Sequence, residues 1–266
     1  MKDEVLGLVR NVGDPTNGLN LMREYLQAFV LRSLHECEAF TTMAFVGGTA
    51  LRFLENLPRF SEDLDFSLIK EDRYDPKRWL GKVRRDLALA GYDCQVTLNS
   101  KKVVNTSWIR LSGLLAEAGL SNRVEQKLSI KLEIDTRPPK GADVVRTVLT
   151  RHLTFALRHY EISSLMAGKI RALITRPYPK GRDWFDLVWY CSHRPPIEPK
   201  TDLLQNALDQ TQGKGHYDAR QWRELVRQRL ENIDVNKLKR DVSPFLERPA
   251  DRDLLSYENL KAVLSG

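Results

Sequence analysis

One short region restricts this chain more than any other. The apolar run Met43-Ala44-Phe45-Val46 stops at Gly47-Gly48 and gives way to Thr49-Ala50-Leu51-Arg52-Phe53-Leu54-Glu55, which ends before Pro58. The run predicts a buried strand closed by a glycine turn, and the segment after it a short helix. Asp63-Leu64-Asp65-Phe66-Ser67-Leu68-Ile69 then alternates polar and apolar residues, the pattern of a strand with one buried face. A strand that ends in Gly-Gly and opens a helix brings backbone amides close to a phosphate, because no side chain blocks the approach. Thr49 is expected to add a hydroxyl to that phosphate. Asp63 and Asp65, two apart on a strand, leave from the same face with Cα atoms roughly 6.5 Å apart. Carboxylates at that spacing can converge on a hard cation such as Mg²⁺, which takes oxygen ligands and substrate phosphates. An Asp-x-Asp pair by itself also fits a solvated edge strand. The ordered combination is what points to a metal–phosphate site.

The rest of the chain divides in character near residue 160. Before it, helical periodicity covers residues 20–39 and 75–90, and strands are expected over 92–98, 103–111, 128–135, 144–149 and 153–157. After it, residues 162–175, 183–191, 202–209 and 218–230 all carry the helix period. The reading is an α/β (α+β) chain: a mixed sheet flanked by helices over 1–160, then a helical domain over 161–266.

Three further segments carry candidate chemistry. In Leu128–Asp135 the apolar residues Ile130, Leu132 and Ile134 face one way, and Lys131, Glu133 and Asp135 the other. Acids are poor strand formers, so their clustering suggests a third metal-side carboxylate, with Glu133 preferred over Asp135 because it lies deeper in the apolar run; an ordinary solvated face is the structural alternative. In Ile162–Ile174, Lys169 follows the small residues Ala167 and Gly168 and could reach a triphosphate as a point charge, a solvated helix lysine being the structural alternative. In Lys180–Val188, Asp183 and Asp186 share one helix face. One of them could activate an acceptor hydroxyl or orient Lys169; a helix N-cap at Asp183 and an Arg182–Asp186 pair are the structural alternatives.

Composition narrows the setting. Lys plus Arg outnumber Asp plus Glu by 42 to 35, a net charge of +7, which favours polyanionic partners such as RNA, DNA or nucleotides. Cys37, Cys94 and Cys191 are scattered and odd in number, which argues against a disulfide framework or a zinc site and for a reducing cytoplasm. No apolar run is long enough to span a bilayer, and the opening stretch lacks a secretory pattern, so no membrane role is expected. The five histidines show no metal spacing, and no Walker loop, G-x-G-x-x-G or G-x-S-x-G elbow is present.

Five segments together resemble the AbiEii/AbiGii family of nucleotidyltransferase toxins of type IV toxin–antitoxin and phage-defence modules. They are Gly47-Gly48-Thr49-Ala50-Leu51-Arg52, Arg59-Phe60-Ser61-Glu62-Asp63-Leu64-Asp65-Phe66, Lys131-Leu132-Glu133-Ile134, Leu165–Leu173 and Gly181-Arg182-Asp183-Trp184-Phe185-Asp186-Leu187. The resemblance implies a DNA polymerase β-like core with a helical C-terminal part. It also implies Mg²⁺, an NTP donor and an RNA acceptor, tRNA for several members. It carries Ser61, Asp63 and Asp65 to the metal and phosphate site, Lys169 to the triphosphate, and Asp183 or Asp186 to catalysis. Arg52 and Arg182, inside the same motifs, are expected beside the nucleotide with Gly47, Gly48 and Thr49.

The resulting expectation is a cytoplasmic, Mg²⁺-dependent transfer of a nucleoside monophosphate from an NTP to RNA, with a cognate antitoxin as a possible partner. Two alternatives stay open: a nucleotide- or RNA-binding module without catalysis, and a phosphotransferase acting on a protein partner.

Overall fold

The computed structural model describes residues 2–10 and 12–265. The chain forms two compact units. The first gathers the chain as far as Asn56 with Phe60–Arg137 and Val145–His159; the second gathers Leu57–Arg59, Pro138–Val144 and the chain from Tyr160 on.

The first unit contains α1 (Lys2–Val9), α2 (Pro15–Glu36), β1 (Met43–Val46), α3 (Gly47–Glu55), β2 (Leu64–Leu68), α4 (Pro76–Leu89), β3 (Asp93–Asn99), β4 (Val104–Ser112), α5 (Leu114–Glu117) and β5 (Leu128–Asp135). The strands β6 (Val144–Leu149) and β7 (Phe155–Tyr160) complete the sheet. Among the described residues the strand order is β3-β4-β5-β2-β1-β7-β6. β2 lies antiparallel to β1 and parallel to β5, so the sheet is mixed as expected.

Local chemistry sets the element ends. Asp14 caps α2 by accepting from the amides of Thr16 and Asn17, and Pro15 supplies a first turn that needs no donor. Asp75 and Pro76 repeat the device on α4. α2 therefore begins five residues ahead of the apolar period that predicts it. β2 begins at Leu64, leaving Asp63 just before the strand. β7 lies two to three residues beyond the expected 153–157. On β5, Leu128, Ile130, Leu132 and Ile134 are buried, while Ser129, Lys131, Glu133 and Asp135 are half-buried on the opposite face. Phe45 and Phe66, whose rings lie 5.5 Å apart, are fully inside where β1 meets β2.

A buried ion cluster fixes α3 in place. Glu24 on α2 is 2% exposed. Its carboxylate accepts from Arg52 of α3 at 2.5 Å, from Arg151 at 2.9 Å and from His152 at 2.8 Å. Burial alone would raise the Glu24 pKa. The His152 hydrogen bond and the charges of Arg52 and Arg151 reverse that, lowering it from 4.5 to about 2.

The second unit is helical: α6 (Ile162–Thr175), α7 (Gly181–Cys191), α8 (Thr201–Gln212), α9 (Trp222–Leu230), α10 (Val235–Val242) and α11 (Tyr257–Ser265). α6 packs on α7, α8 and α9, and α7 packs on α10 and α11. Gly181 opens α7 against the backbone of α10, where any Cβ would strike the Leu238 carbonyl; its amide donates to Asp241 at 2.6 Å. Among the described residues no helix is long and apolar enough to cross a membrane.

Because the folded pKa of Glu24 is depressed, its ionisation stabilises the fold above the unfolded value near 4.5 and ceases to as pH falls through about 2. The shift corresponds to about 3 kcal/mol. In urea titrations across pH 2–6, Glu24→Gln should flatten the stability-versus-pH slope in this window; an unchanged slope would refute the assignment.

Candidate active site

The two ends of the glycine–acid motif meet in the first unit. Gly47 has a φ of +81°, a conformation that side chains other than glycine's rarely adopt. A Cβ there would also collide with the carboxylate of Asp65. Asp65 thus lies directly against the bend where α3 begins. Among the described residues no side chain caps the start of α3, the kind of helix end at which an outside anion can meet first-turn amides.

The segment before β2 is pinned by its backbone. Gln27, 1% exposed on α2, donates its side-chain amide to the carbonyls of Ser61 at 3.1 Å and Glu62 at 2.8 Å. The Thr49 hydroxyl donates to the next carbonyl, that of Asp63. Three successive carbonyls are held, so the position of Asp63 is set by α2 and α3. The structure gives Thr49 a different job from the expected one. A hydroxyl has one proton to donate, and it goes to Asp63 rather than to a phosphate. Arg52 likewise is buried: its guanidinium serves Glu24 and lies 4.6 Å from the Phe60 ring.

Register brings the acids of separate strands together. Asp65 stands opposite Glu133 of β5, while Asp135 stands opposite Ser67. Glu133 accepts from Thr106 at 3.3 Å and pairs with Lys131 at 2.8 Å. Burial disfavours the Lys131 charge, but Glu133 and then Asp63 and Asp65 outweigh it and raise its pKa. Three carboxylates therefore act on one ammonium group. Asp63, Lys131 and Trp108 also line a cleft of about 300 Å³.

Among the described residues, no three His, Cys, Asp or Glu side chains are grouped so as to hold a metal by themselves. The oxygen-only donors Asp63 and Asp65, beside a bend that a Cβ would fill, nevertheless fit Mg²⁺. That ion commonly takes one or two carboxylates and completes its shell with water and phosphate.

The second unit holds its own ionic centre. Lys169 on α6, 14% exposed, pairs with Asp183 at 3.0 Å and Asp186 at 2.8 Å, both on α7. Asp186 is fully buried and takes a two-pronged contact of 2.6 Å from Arg59. Arg176 also reaches Asp183. Burial opposes the Lys169 charge, yet Asp186 and Asp183 raise its pKa; burial likewise opposes the Asp183 charge, yet Lys169 and Arg176 lower its pKa. Lys169, Arg59 and Arg176 thus converge on these two carboxylates. Asp183 sits in the first turn of α7 rather than capping it, and Arg182 lies 4.2 Å from the Phe245 ring. Gln27, Arg59, Lys131, Thr106 and Arg176 contribute to these two centres although motif reasoning gave them no role. Arg59 stood inside a quoted motif; Gln27 left no signal in a helix read only for its apolar positions.

With this geometry in view, the sequence matches the family described as nucleotidyl transferase AbiEii toxin, Type IV TA system, over residues 30–259. The chain belongs to that family. Its fold is similar to that of JHP933 from Helicobacter pylori, with a TM-score of 0.53 and 22% identity over 92% of this chain and 90% of that one. A candidate nucleotidyltransferase from H. pylori gives 0.51 and 20% identity, covering 91% of this chain and 96% of that one. No curated protein matches. The family match and the mixed sheet agree in making the core a nucleotidyltransferase fold.

Two substitutions test the geometry. Gly47→Ala should cost at least about 1 kcal/mol from backbone strain alone, and more from displacing Asp65; equal denaturation midpoints for variant and parent would contradict it. Arg59→Leu leaves Asp186 buried with one cation fewer and should cost about 3–5 kcal/mol by the same measurement.

Proposed function

We propose that this toxin-family chain transfers a nucleoside monophosphate from an NTP to RNA, tRNA being the first candidate acceptor, in a cytoplasmic module that includes a cognate antitoxin. The observation that carries the reading is the packing of Asp65 against the Gly47 bend, with Asp63 fixed two residues away. It supports an arrangement in which a phosphate at the amides of Gly47 and Gly48 lies next to the acid pair.

In this reading Asp63 and Asp65 would hold Mg²⁺, with Glu133 as the third carboxylate of the group and Ser61 beside them. Bound there, the ion would offset negative charge on the phosphates. The acceptor hydroxyl attacks the α-phosphate in line and gives up its proton to water, the bond from the α-phosphorus to the bridging oxygen breaks, and pyrophosphate leaves with that oxygen. Gly47 and Gly48 orient the phosphates. The gathering of Lys169, Arg59 and Arg176 on one helix pair supports assigning Lys169 to the triphosphate. Asp183, with its lowered pKa, is a poor proton acceptor, and Asp186 is enclosed by Arg59 and Lys169. Both acids are therefore positioning residues for Lys169. Arg52 and Thr49 act by holding α3 and Asp63 rather than by touching the nucleotide. Arg182, whose guanidinium rests 4.2 Å from the Phe245 ring at the start of α7, would stand on the nucleotide side.

The test is incubation with each α-labelled NTP, Mg²⁺ and total cellular RNA. The parent chain should label RNA; Asp63→Asn should abolish labelling while melting close to the parent, and Lys169→Ala should abolish it in a chain that melts lower but stays folded. In Lys169→Ala, Asp186 keeps Arg59 and Asp183 keeps Arg176, so the fold should survive. Label from γ-labelled NTP on protein would favour the phosphotransferase alternative, and NTP binding without pyrophosphate release the inert module.

A further inference from the structure

The cleft of about 300 Å³ beside Asp63 is not explained by the phosphate bend. Neither Gly47 nor Gly48 is among its walls. Its walls include Trp108, Arg23, Lys127, Lys131, Glu62 and Asp63, all within the first unit. Trp108 sits on β4 between the inward residues Ser107 and Ile109, so its ring belongs to the outer, polar face of the sheet. Its cross-strand neighbours are Thr97 on β3 and Lys131 on β5. The Arg110 guanidinium lies 5.3 Å from the ring centre, and Leu19, Leu115 and Leu128 line the same cleft, so Trp108 offers an aromatic surface beside apolar walls on which a flat ring can stack. The volume lies at the lower end of small-molecule pockets, room for about one nucleotide and not for a folded strand. Lys131 is held by Glu133 and Arg23 lies 3.6 Å from Glu62, while Lys127 donates to the neutral side chain of Gln95 at 3.1 Å, so its charge can meet a phosphate.

We infer that this cleft seats the terminal nucleobase of the acceptor strand, stacked on Trp108, with the adjoining phosphate toward Lys127. The inference rests on the nucleotidyl-transfer reading above and names where its acceptor docks. An in-line displacement needs separate places for the attacking and leaving groups. The glycine bend meets Asp65, and this cleft meets Asp63, so the acid pair joins two subsites. Stacking on an aromatic side chain accepts any base, so the cleft recognises single-stranded RNA ends more than their sequence.

The experiment uses the full chain with Mg²⁺ and no NTP, a fluorescein-labelled single-stranded RNA read by anisotropy, and calorimetric titration of each NTP in parallel. Trp108→Ala should weaken RNA binding about tenfold, Trp108→Phe should restore it, and NTP affinity should stay at the parent value. Lys127→Gln should flatten the salt dependence of RNA binding by about 0.7 in log–log slope. Unchanged RNA affinity in a Trp108→Ala variant that melts like the parent overturns the inference. Loss of NTP affinity instead of RNA affinity also overturns it, assigning the cleft to the donor base. Because binding is read without turnover, failure of the parent to transfer label strikes the reading above and not this one.

Discussion

The Asp65 carboxylate occupies the space that any side chain at residue 47 would need. Much of the first unit follows from that approach. β1 must end at Val46, opposite Asp65, for the bend to meet the acid at all. α3 must be held where its first turn faces the acid pair, and the buried Glu24–Arg52 pair does this from the far side of the helix's sequence. Gln27 and Thr49 then lock the three carbonyls that lead into β2. The polar residues buried here are matched to partners, as an interior of low dielectric requires. Lys131 belongs to the same economy of charge: the acids that gather beside the bend carry an internal cation.

The second unit solves a related problem with the signs reversed. Asp186 is fully enclosed, and an isolated carboxylate in that position would be very costly. Arg59 meets it with a planar fork and Lys169 with a point charge. The lysine is thereby held in one place, at the cost of making its own charge depend on two neighbours. A lysine fixed in this way loses little further freedom when an anion arrives.

The regular elements were legible because hydrophobic period and turn residues agree. β5 runs from Leu128 to Asp135 as its alternation requires, and the register that sets Glu133 rather than Asp135 against Asp65 accords with its deeper place in the apolar run. What escaped sequence reasoning depends on direction and distance. Nothing in Gly-Gly-Thr-Ala-Leu-Arg tells whether the threonine faces a phosphate or a carbonyl, or whether the arginine turns inward. Glu24 and Gln27 sit in a helix read only for its apolar stripe. Trp108 read as an ordinary strand residue because its importance lies in which face it occupies. α10 and α11 went unread: α10 is eight residues long, and Lys237, Lys239, Arg240 and Asp241 swamp its two buried positions.

The second unit is not one continuous stretch. Leu57–Arg59 belongs to it, with Arg59 bridging to Leu246 through the backbone and to Asp186 through its side chain. A fragment starting at Ile162 would therefore lack a part that completes its interior, and would bury Asp186 short of a counter-charge. Proteolytic or recombinant dissection at the obvious change of character near residue 160 would thus yield a crippled helical piece, and its misbehaviour would say nothing about the intact chain.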